Sequence, residues 1–260
     1  MHKKMWMRVK QSLYFLYRLM SPIINPYQLS MSIPRYWKYV GDLMKYSRLN
    51  GAEPIKISNL YPCIHEKSST SSFDSHYFYL NVWAAQRIME NKPRFHIDVG
   101  SKVDFVGFLT CFTDVISLDI RPLNARLNNF EPLAGDILSL PFDDCAVQSL
   151  SCLHVAEHIG LGRYGDPLNP EGTEMAAKEL SRVLAKDGNL FFALPVGRSK
   201  VCFNAHRIHS PNQVLQYFND LVLVELSGVD DAGVYRKGLQ ISDFEESDYA
   251  CGFFWFKKEQ

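Results

Sequence analysis

The alternation of apolar strands with helices from residue 95 onward constrains the fold more than any other feature of this sequence. "FHIDV" (95–99) predicts a buried strand and "KVDFVGFLTCF" predicts a helix, and the same alternation then continues along the chain. It includes a short helix near "PLNARLNN" and a longer one in "PEGTEMAAKELSRVLAKDG" that stops at Gly188. Strands that are apolar on both faces and separated by helices are typical of a parallel sheet covered on both sides. We therefore expect an α/β fold with a doubly wound, mostly parallel, seven-stranded sheet of the Rossmann-like kind.

The two ends of the chain depart from this alternation. The last predicted strands, "LVLVELSGV" and "YACGFFWFKK", have no helix between them, which predicts an antiparallel hairpin at the C-terminal edge of the sheet. The helical pattern "FDSHYFYLNVWAAQRIME" follows the polar run "KSSTSS", and Asp74 or Ser75 can cap this helix. This places a boundary at residue 73, with a partly helical extension over residues 1–72 and a single domain over residues 73–260.

The N-terminal extension is basic, although the whole chain has a formal net charge of zero. Residues 1–50 contain nine Lys or Arg and one acid, Asp42. Within residues 1–25 apolar residues recur at helical spacing among the basic ones, which suits a helix lying in an anionic membrane interface. The same pattern would suit equally well a helix that packs on its own domain or forms a homodimer contact. Arg18 and Pro22 make the segment too short and interrupted to span a bilayer.

Composition also limits the partners and the compartment. The balanced total charge gives no argument for nucleic acid. The six cysteines are scattered, with no C-x-x-C pair and no zinc-type spacing, which indicates a reduced, cytoplasmic setting. The interfacial helix would add peripheral attachment to the inner face of a membrane.

The turn after the first strand, "DVGS", is the first candidate ligand site. Ligands of open parallel sheets bind at the carboxyl ends of the strands, where Asp98, Gly100 and Ser101 lie. Gly100 permits a sharp turn, and the following helix offers free N–H groups. The other glycines of G-x-G-x-x-G are missing, which counts against NAD and FAD.

The next two strand ends also carry an acid. Asp119 follows Gly100 by 19 positions, a spacing suited to a carboxylate that accepts ribose hydroxyls, and Ile120 comes directly after it. Asp136 and Ile137 follow the third strand, where the acid suits an exocyclic amine of adenine and the isoleucine suits the face of the ring. Three acids at successive strand ends predict a nucleoside-like ligand.

At this point the sequence resembles the class I S-adenosylmethionine-dependent methyltransferases. The segments "DVGS", "SLDI", "GDILSLPF", "SLSCLHVAEHIG" and "ELSRVLAKDGNLFFALPVG" match that superfamily in order, over about residues 73–260. The runs "FDSHYFYLNVWAAQ" and "FNAHRIHSP" are similar to a domain-of-unknown-function branch found among glycan and surface-polysaccharide biosynthesis proteins. The resemblance implies S-adenosylmethionine (SAM) as the cofactor. The loop departs from E/D-x-G-x-G-x-G, since only the first glycine is present.

The end of the fourth strand, "CLHVAEHIG", is expected to meet the methyl acceptor. His154, Glu157 and His158 lie at i, i+3 and i+4 and share one face if a helix begins there. His154 is the predicted general base for an acceptor hydroxyl. Alternatively, Glu157 and His158 shape the pocket. A divalent cation held by these residues and Asp166 is a third interpretation, which the ligand spacing does not favour.

Acceptor recognition is predicted in two further segments. In "FNAHRIHS" four residues can hydrogen-bond sugar hydroxyls or an anion: Asn204, His206, Arg207 and His209. His76 and Tyr77 open the helix before the first strand and are expected to contact the methionine carboxylate or the acceptor. Together with the resemblance, these residues indicate O-methylation of a sugar in a glycan or glycolipid-linked saccharide. The alternative is a catalytically silent SAM-fold protein that partners a glycan biosynthesis enzyme.

Overall fold

The computed structural model describes Leu13, Tyr17 and residues 25–66 and 69–259. The chain divides into two compact units, Met1–Ser72 and Phe73–Gln260.

Between residues 25 and 66 the N-terminal unit contains the helix α1 (Pro26–Tyr46). Asn25 caps this helix, because its side chain accepts a hydrogen bond from the Gln28 N–H at 3.1 Å. The interfacial helix predicted within residues 1–25 lies outside the described residues, apart from Leu13 and Tyr17, which are helical. Within the described ranges no helix has both the length and the apolar character needed to cross a bilayer.

The second unit contains ten strands and four α-helices. The strands are β1 (Phe95–Val99), β2 (Asp114–Asp119), β3 (Phe130–Ala134), β4 (Val147–Leu153), β5 (Leu184–Val196), β6 (Lys200–Cys202), β7 (His206–Ile208), β8 (Val222–Val229), β9 (Tyr235–Arg236) and β10 (Ala250–Lys257). The helices are α2 (Ser75–Asn91), α3 (Val103–Leu109), α4 (Gly172–Val183) and α5 (Pro211–Tyr217). As expected, Asp74 caps α2 by accepting a hydrogen bond from the Tyr77 N–H.

The main sheet confirms the predicted doubly wound, mostly parallel architecture. Its strand order is β3-β2-β1-β4-β5-β10-β8-β9, and β1 to β5 pair in parallel. The predicted antiparallel hairpin is confirmed as well, since β8 and β10 pair antiparallel at the C-terminal side of the sheet. One detail differs from the prediction: the two-residue strand β9 pairs with β8 and adds an eighth strand.

Three local elements also differ from the sequence prediction. The helix expected near "PLNARLNN" is a loop, whose residues are largely exposed and have little apolar surface to bury. Helix α4 ends at Val183 rather than at Gly188, because Leu184 already pairs with Val147 of β4. The segment "FNAHRIHS" lies in a two-stranded sheet formed by β6 and β7 rather than in an open loop.

The core lies on both faces of the sheet, and the central strands are apolar on both sides for this reason. Successive residues of a strand point to opposite faces. Phe191 packs with the cluster that includes α2 and α3, whereas Phe192 packs with the cluster that includes α4 and α5. Phe253 and Phe254 of β10 alternate in the same way. With both faces covered, the carboxyl ends of the parallel strands are left to form a site.

Candidate active site

Two cavities open at the carboxyl ends of the parallel strands. Cavity A has a volume of about 400 Å³ and is formed by the ends of β1, β2 and β3 together with residues 154–169. Cavity B has a volume of about 810 Å³ and is formed by residues 73–77, 154–163, 205–206 and 230–249. His154 and His158 belong to the walls of both cavities.

Gly100 forms the turn at the floor of cavity A. Its φ is +70°, in the left-handed region, and its N–H donates to the Leu118 carbonyl at 2.9 Å. A Cβ at this position would lie 3.0 Å from Cγ1 of Val155. The single glycine thus serves both the turn and the close approach of the backbone to the cavity.

Asp98 and Ser101 lie behind this turn and are not part of the cavity A wall. The fully buried Asp98 carboxylate accepts hydrogen bonds from the Ser101 N–H at 3.0 Å and from the Ser151 hydroxyl. The Ser101 hydroxyl oxygen accepts one from the Leu153 N–H at 3.2 Å. Burial raises the pKa of Asp98 to about 6. Both residues therefore fasten the turn to β4, which corrects their predicted role as direct cofactor contacts.

The two other strand-end acids do line cavity A. The Oδ1 atom of Asp119 accepts a hydrogen bond from the Arg121 N–H at 2.7 Å, and Oδ1 of Asp136 accepts one from the Leu138 N–H at 2.9 Å. These bonds fix each carboxylate at its strand end. Ile120 and Ile137 also line the cavity, so it presents carboxylates beside apolar side chains, as predicted.

His154 follows β4 directly and is held through both ring nitrogens. Nδ1 lies 2.7 Å from Oε1 of Glu157, and Nε2 lies 3.1 Å from Sγ of Cys251. Burial by itself lowers the pKa of His154, but its electrostatic contacts with Cys251 and Glu157 outweigh burial and raise it well above the ordinary value. A ring whose two nitrogens both have partners is poorly placed to accept a proton from a substrate. The geometry thus argues against the predicted role of His154 as the general base.

Glu157 and His158 lie in a 3-10 helix, Ala156–His158, rather than in an α-helix. Glu157 is fully buried, and its Oε2 has no hydrogen-bond partner among the described residues. Nδ1 of His158 lies 2.6 Å from the Ala205 carbonyl oxygen, to which it donates, and burial lowers the pKa of this imidazole. A neutral ring with its proton on Nδ1 leaves Nε2 able to accept one.

Of the four residues predicted in "FNAHRIHS", one lines a cavity. His206 is part of the cavity B wall, whereas Asn204 is exposed and lies outside both cavity walls. His209 is buried behind the site, with Nδ1 at 3.3 Å from the Tyr217 hydroxyl. The predicted acceptor contacts of Asn204 and His209 are therefore corrected.

Arg207 stabilises a neighbouring segment of the chain instead of making the predicted contact with the acceptor. Its guanidinium is buried and donates to the Ile159 carbonyl at 2.5 Å and to the Asn169 carbonyl at 2.8 Å. These carbonyls lie near the two ends of the 159–169 segment, which forms part of cavity A. Arg207 therefore shapes the wall of cavity A from behind.

His76 and Tyr77 line cavity B, as the acceptor prediction requires. The His76 ring stacks on His154 with a centroid distance of 5.7 Å and on Tyr249 at 5.1 Å. Burial lowers the pKa of His76 to about 4, so this imidazole is neutral at physiological pH. Tyr249, which the sequence analysis did not single out, also lies 5.2 Å from the His206 ring.

Comparison with known families and curated proteins yields a partial match. Residues 143–225, less than half of the chain, match the family described as "Caenorhabditis protein of unknown function, DUF268". No curated protein matches the chain.

Solved structures share the fold. The [4+2]-cyclase SpnF is 15% identical, and the match covers 74% of this chain and 84% of that chain with a TM-score of 0.53. The N-methyltransferase NodS from Bradyrhizobium japonicum WM9 is 14% identical, and the match covers 71% of this chain and 97% of that chain with a TM-score of 0.50. The second unit thus has the Rossmann-like methyltransferase fold, and the cyclase name shows that this fold hosts other reactions.

Proposed function

We propose that the chain is a SAM-dependent methyltransferase that binds SAM in cavity A and the methyl acceptor in cavity B. One observation carries this proposal: the two cavities share the wall formed by His154 and His158. A transfer between two bound molecules requires two adjoining sites, so that the reacting atoms are held together.

The wall of cavity A suits the parts of SAM. Asp119 would accept the ribose hydroxyls, Asp136 the exocyclic amine of adenine, and Ile120 and Ile137 would contact the ring. The backbone at Gly100 approaches closely enough to border the amino-acid portion. A volume of about 400 Å³ lies within the range of small-molecule sites.

The chemistry divides between the cofactor and the chain. When bound, SAM supplies a methyl group activated by its sulfonium. The chain must hold an acceptor oxygen against that methyl group and receive the hydroxyl proton as the oxygen–carbon bond forms and the carbon–sulfur bond breaks. We assign the proton to Nε2 of His158, because its Nδ1 is fixed on the Ala205 carbonyl and His154 is engaged at both nitrogens.

We further propose that the acceptor is a sugar hydroxyl of a glycan or a glycolipid-linked saccharide. Cavity B combines aromatic rings with carboxylates, which respectively offer flat apolar surfaces and acceptors for hydroxyl donors. The aromatic and acidic members of its wall are Phe73, Tyr77, Tyr249, Asp74, Glu157, Asp230, Asp231 and Asp248. The alternative, a silent SAM-fold protein, predicts SAM binding without methyl transfer to any saccharide.

Calorimetry with SAM, S-adenosylhomocysteine and NADH tests the cofactor assignment. Asp119→Ala should weaken SAM binding by about 1.5–3 kcal/mol, or about 10- to 150-fold, since it removes hydrogen bonds to a charged group. Asp114→Ala is the matched control, because Asp114 is an exposed acid at the opposite end of the same strand. Equal SAM affinity in the two folded variants would refute the assignment.

We also propose that the basic N-terminal segment attaches the protein to anionic membranes, with a homodimer contact as the alternative. The apolar residues that recur at helical spacing among Lys and Arg within residues 1–25 support this proposal. Deleting residues 1–25 should abolish sedimentation with anionic vesicles while leaving a folded protein. If the full chain ignores vesicles and the truncated one changes its oligomeric state, the segment is a protein contact.

A further inference from the structure

Three side chains at the wall of cavity B form a cluster suited to a transition metal. His76 comes from the first turn of α2, His154 follows β4, and Cys251 lies on β10. One ligand atom from each residue lies within 4.8 Å of the others. His76 and His154 line cavity B, and Cys251 is buried behind them.

We propose that His76, His154 and Cys251 bind a zinc ion. One thiolate and two imidazoles are ligands that zinc accepts in proteins, and magnesium or calcium would instead require oxygen ligands. Three protein ligands with a fourth position left open are characteristic of catalytic rather than structural zinc sites.

The distances within the cluster approach those of a tetrahedral site. Bond lengths of about 2.0–2.3 Å place the ligand atoms of a tetrahedron about 3.5 Å apart. The separation of 3.1 Å between Nε2 of His154 and Sγ of Cys251 is near that value. His76 is half-buried in the first turn of its helix, and its side chain would have to close the remaining distance when the metal binds.

Glu157 supplies a second, independent observation. A metal-binding histidine usually donates its other ring N–H to a carboxylate, which fixes the ring orientation. Nδ1 of His154 is paired in this way with Oε1 of Glu157 at 2.7 Å, so that Nε2 faces the cluster. Glu157 is fully buried and its Oε2 lacks a hydrogen-bond partner within the described part of the chain, an environment that favours a nearby cation. We assign Glu157 as a positioning residue.

The backbone conformation of His154 also supports a functional role for this residue. Its φ of +59° lies in the left-handed region, which is unfavourable for a residue other than glycine. Such strain persists where the surroundings hold a residue in place, and it concentrates at functional sites. Here it sets the imidazole between Glu157 and Cys251.

The fourth position of the zinc would face cavity B, because the two histidines form part of that wall. It would take water or an oxygen of the acceptor and lower the pKa of that oxygen. This acceptor role rests on the proposed methyltransferase function, whereas binding of zinc by the three residues does not.

The test uses the full chain, stripped of metal with a chelator and then loaded with Zn²⁺ or Co²⁺. We expect one zinc per chain by mass spectrometry and, with cobalt, the charge-transfer absorption of a thiolate ligand. Cys251→Ala should remove that absorption and most of the affinity. Cys152→Ala, a matched control at an equally buried cysteine of β4, should retain both. Glu157→Gln should keep the thiolate absorption and lose about 10- to 100-fold in zinc affinity.

Two outcomes would overturn the proposal: a wild-type chain that retains no zinc, or a folded Cys251→Ala variant with wild-type zinc affinity. If Cys251→Ala does not fold, the variant His76→Asn replaces it, because His76 is only half-buried. Unchanged zinc affinity in His76→Asn would overturn the proposal in the same way. SAM calorimetry on the metal-free chain separates the two proposals. Zinc binding without SAM binding would sustain the metal site and refute the methyltransferase.

Discussion

Cavity A and cavity B differ in how the chain builds them. Cavity A is formed mainly by the turns that follow three adjacent parallel strands, each of which contributes cavity-lining residues at or just after its end. Cavity B is assembled from four segments that are far apart in sequence, between residues 73 and 249. A site made of strand ends can therefore be located from the sequence pattern, whereas the way in which distant segments converge on cavity B cannot.

The shared segment after β4 explains why the two cavities can differ so much and still adjoin. Residues 154–163 contribute to both walls, and the central position of β4, between β1 and β5, places them at the middle of the sheet edge. The comparison thus predicts that changes in this segment alter catalysis, whereas changes behind Gly100 alter the stability of the fold.

The largest expected effect is on turnover. His158→Ala should lower kcat by about 10²- to 10⁴-fold, the usual loss for a removed general base. Because burial lowers the pKa of His158, the ascending limb of the wild-type pH–rate profile should lie on the acidic side of the usual imidazole range. The variant should lose this limb.

His206→Ala is the control for that experiment, since His206 lines cavity B and does not line cavity A. We expect a higher KM for the acceptor with the limb preserved. A limb that survives in His158→Ala and disappears in His206→Ala would transfer the role of base to His206.

The smaller effect concerns Asp98, behind cavity A. Its pKa is raised from 3.8 to about 6, so between these values the folded chain holds a proton that the unfolded chain has lost. Its contribution to the free energy of unfolding must therefore fall as pH rises from about 4 to 6, by about 3 kcal/mol in total.

Denaturant titrations of wild type and Asp98→Asn across that pH range measure this term. Because the amide does not titrate, the free energy of unfolding of the wild type should fall relative to that of Asp98→Asn as the pH rises from about 4 to 6. A difference that is constant with pH would mean that the buried carboxylate stays ionised in the fold.

The sequence predicted the parts of the molecule that depend on local pattern. The apolar strands, the cap at Asp74 and the positions of Asp119 and Asp136 follow from residues close together in the chain. The direction in which Asp98 points could not be predicted, because its partner Ser151 lies 53 residues away on β4.

Some residues around cavity B escaped prediction for the same reason. Cys251 lies in an apolar run, where a cysteine behaves as a small buried hydrophobe, and its contact with His154 spans 97 residues. Arg207 suggested an exposed anion-binding residue, yet the pairing of β6 with β7 turns its guanidinium inward, toward two carbonyls. The roles of these side chains depend on which strands pair in the folded protein and not on the residues next to them in the sequence.

The inward guanidinium of Arg207 joins two pieces of the molecule mechanically. It fastens the β6–β7 hairpin, which carries His206 in the wall of cavity B, to the 159–169 segment in the wall of cavity A. Any displacement of that segment must either carry the hairpin with it or break two buried hydrogen bonds. We therefore expect a ligand that shifts the 159–169 segment to shift the wall of cavity B as well, through Arg207 and through the hydrogen bond between His158 and the Ala205 carbonyl.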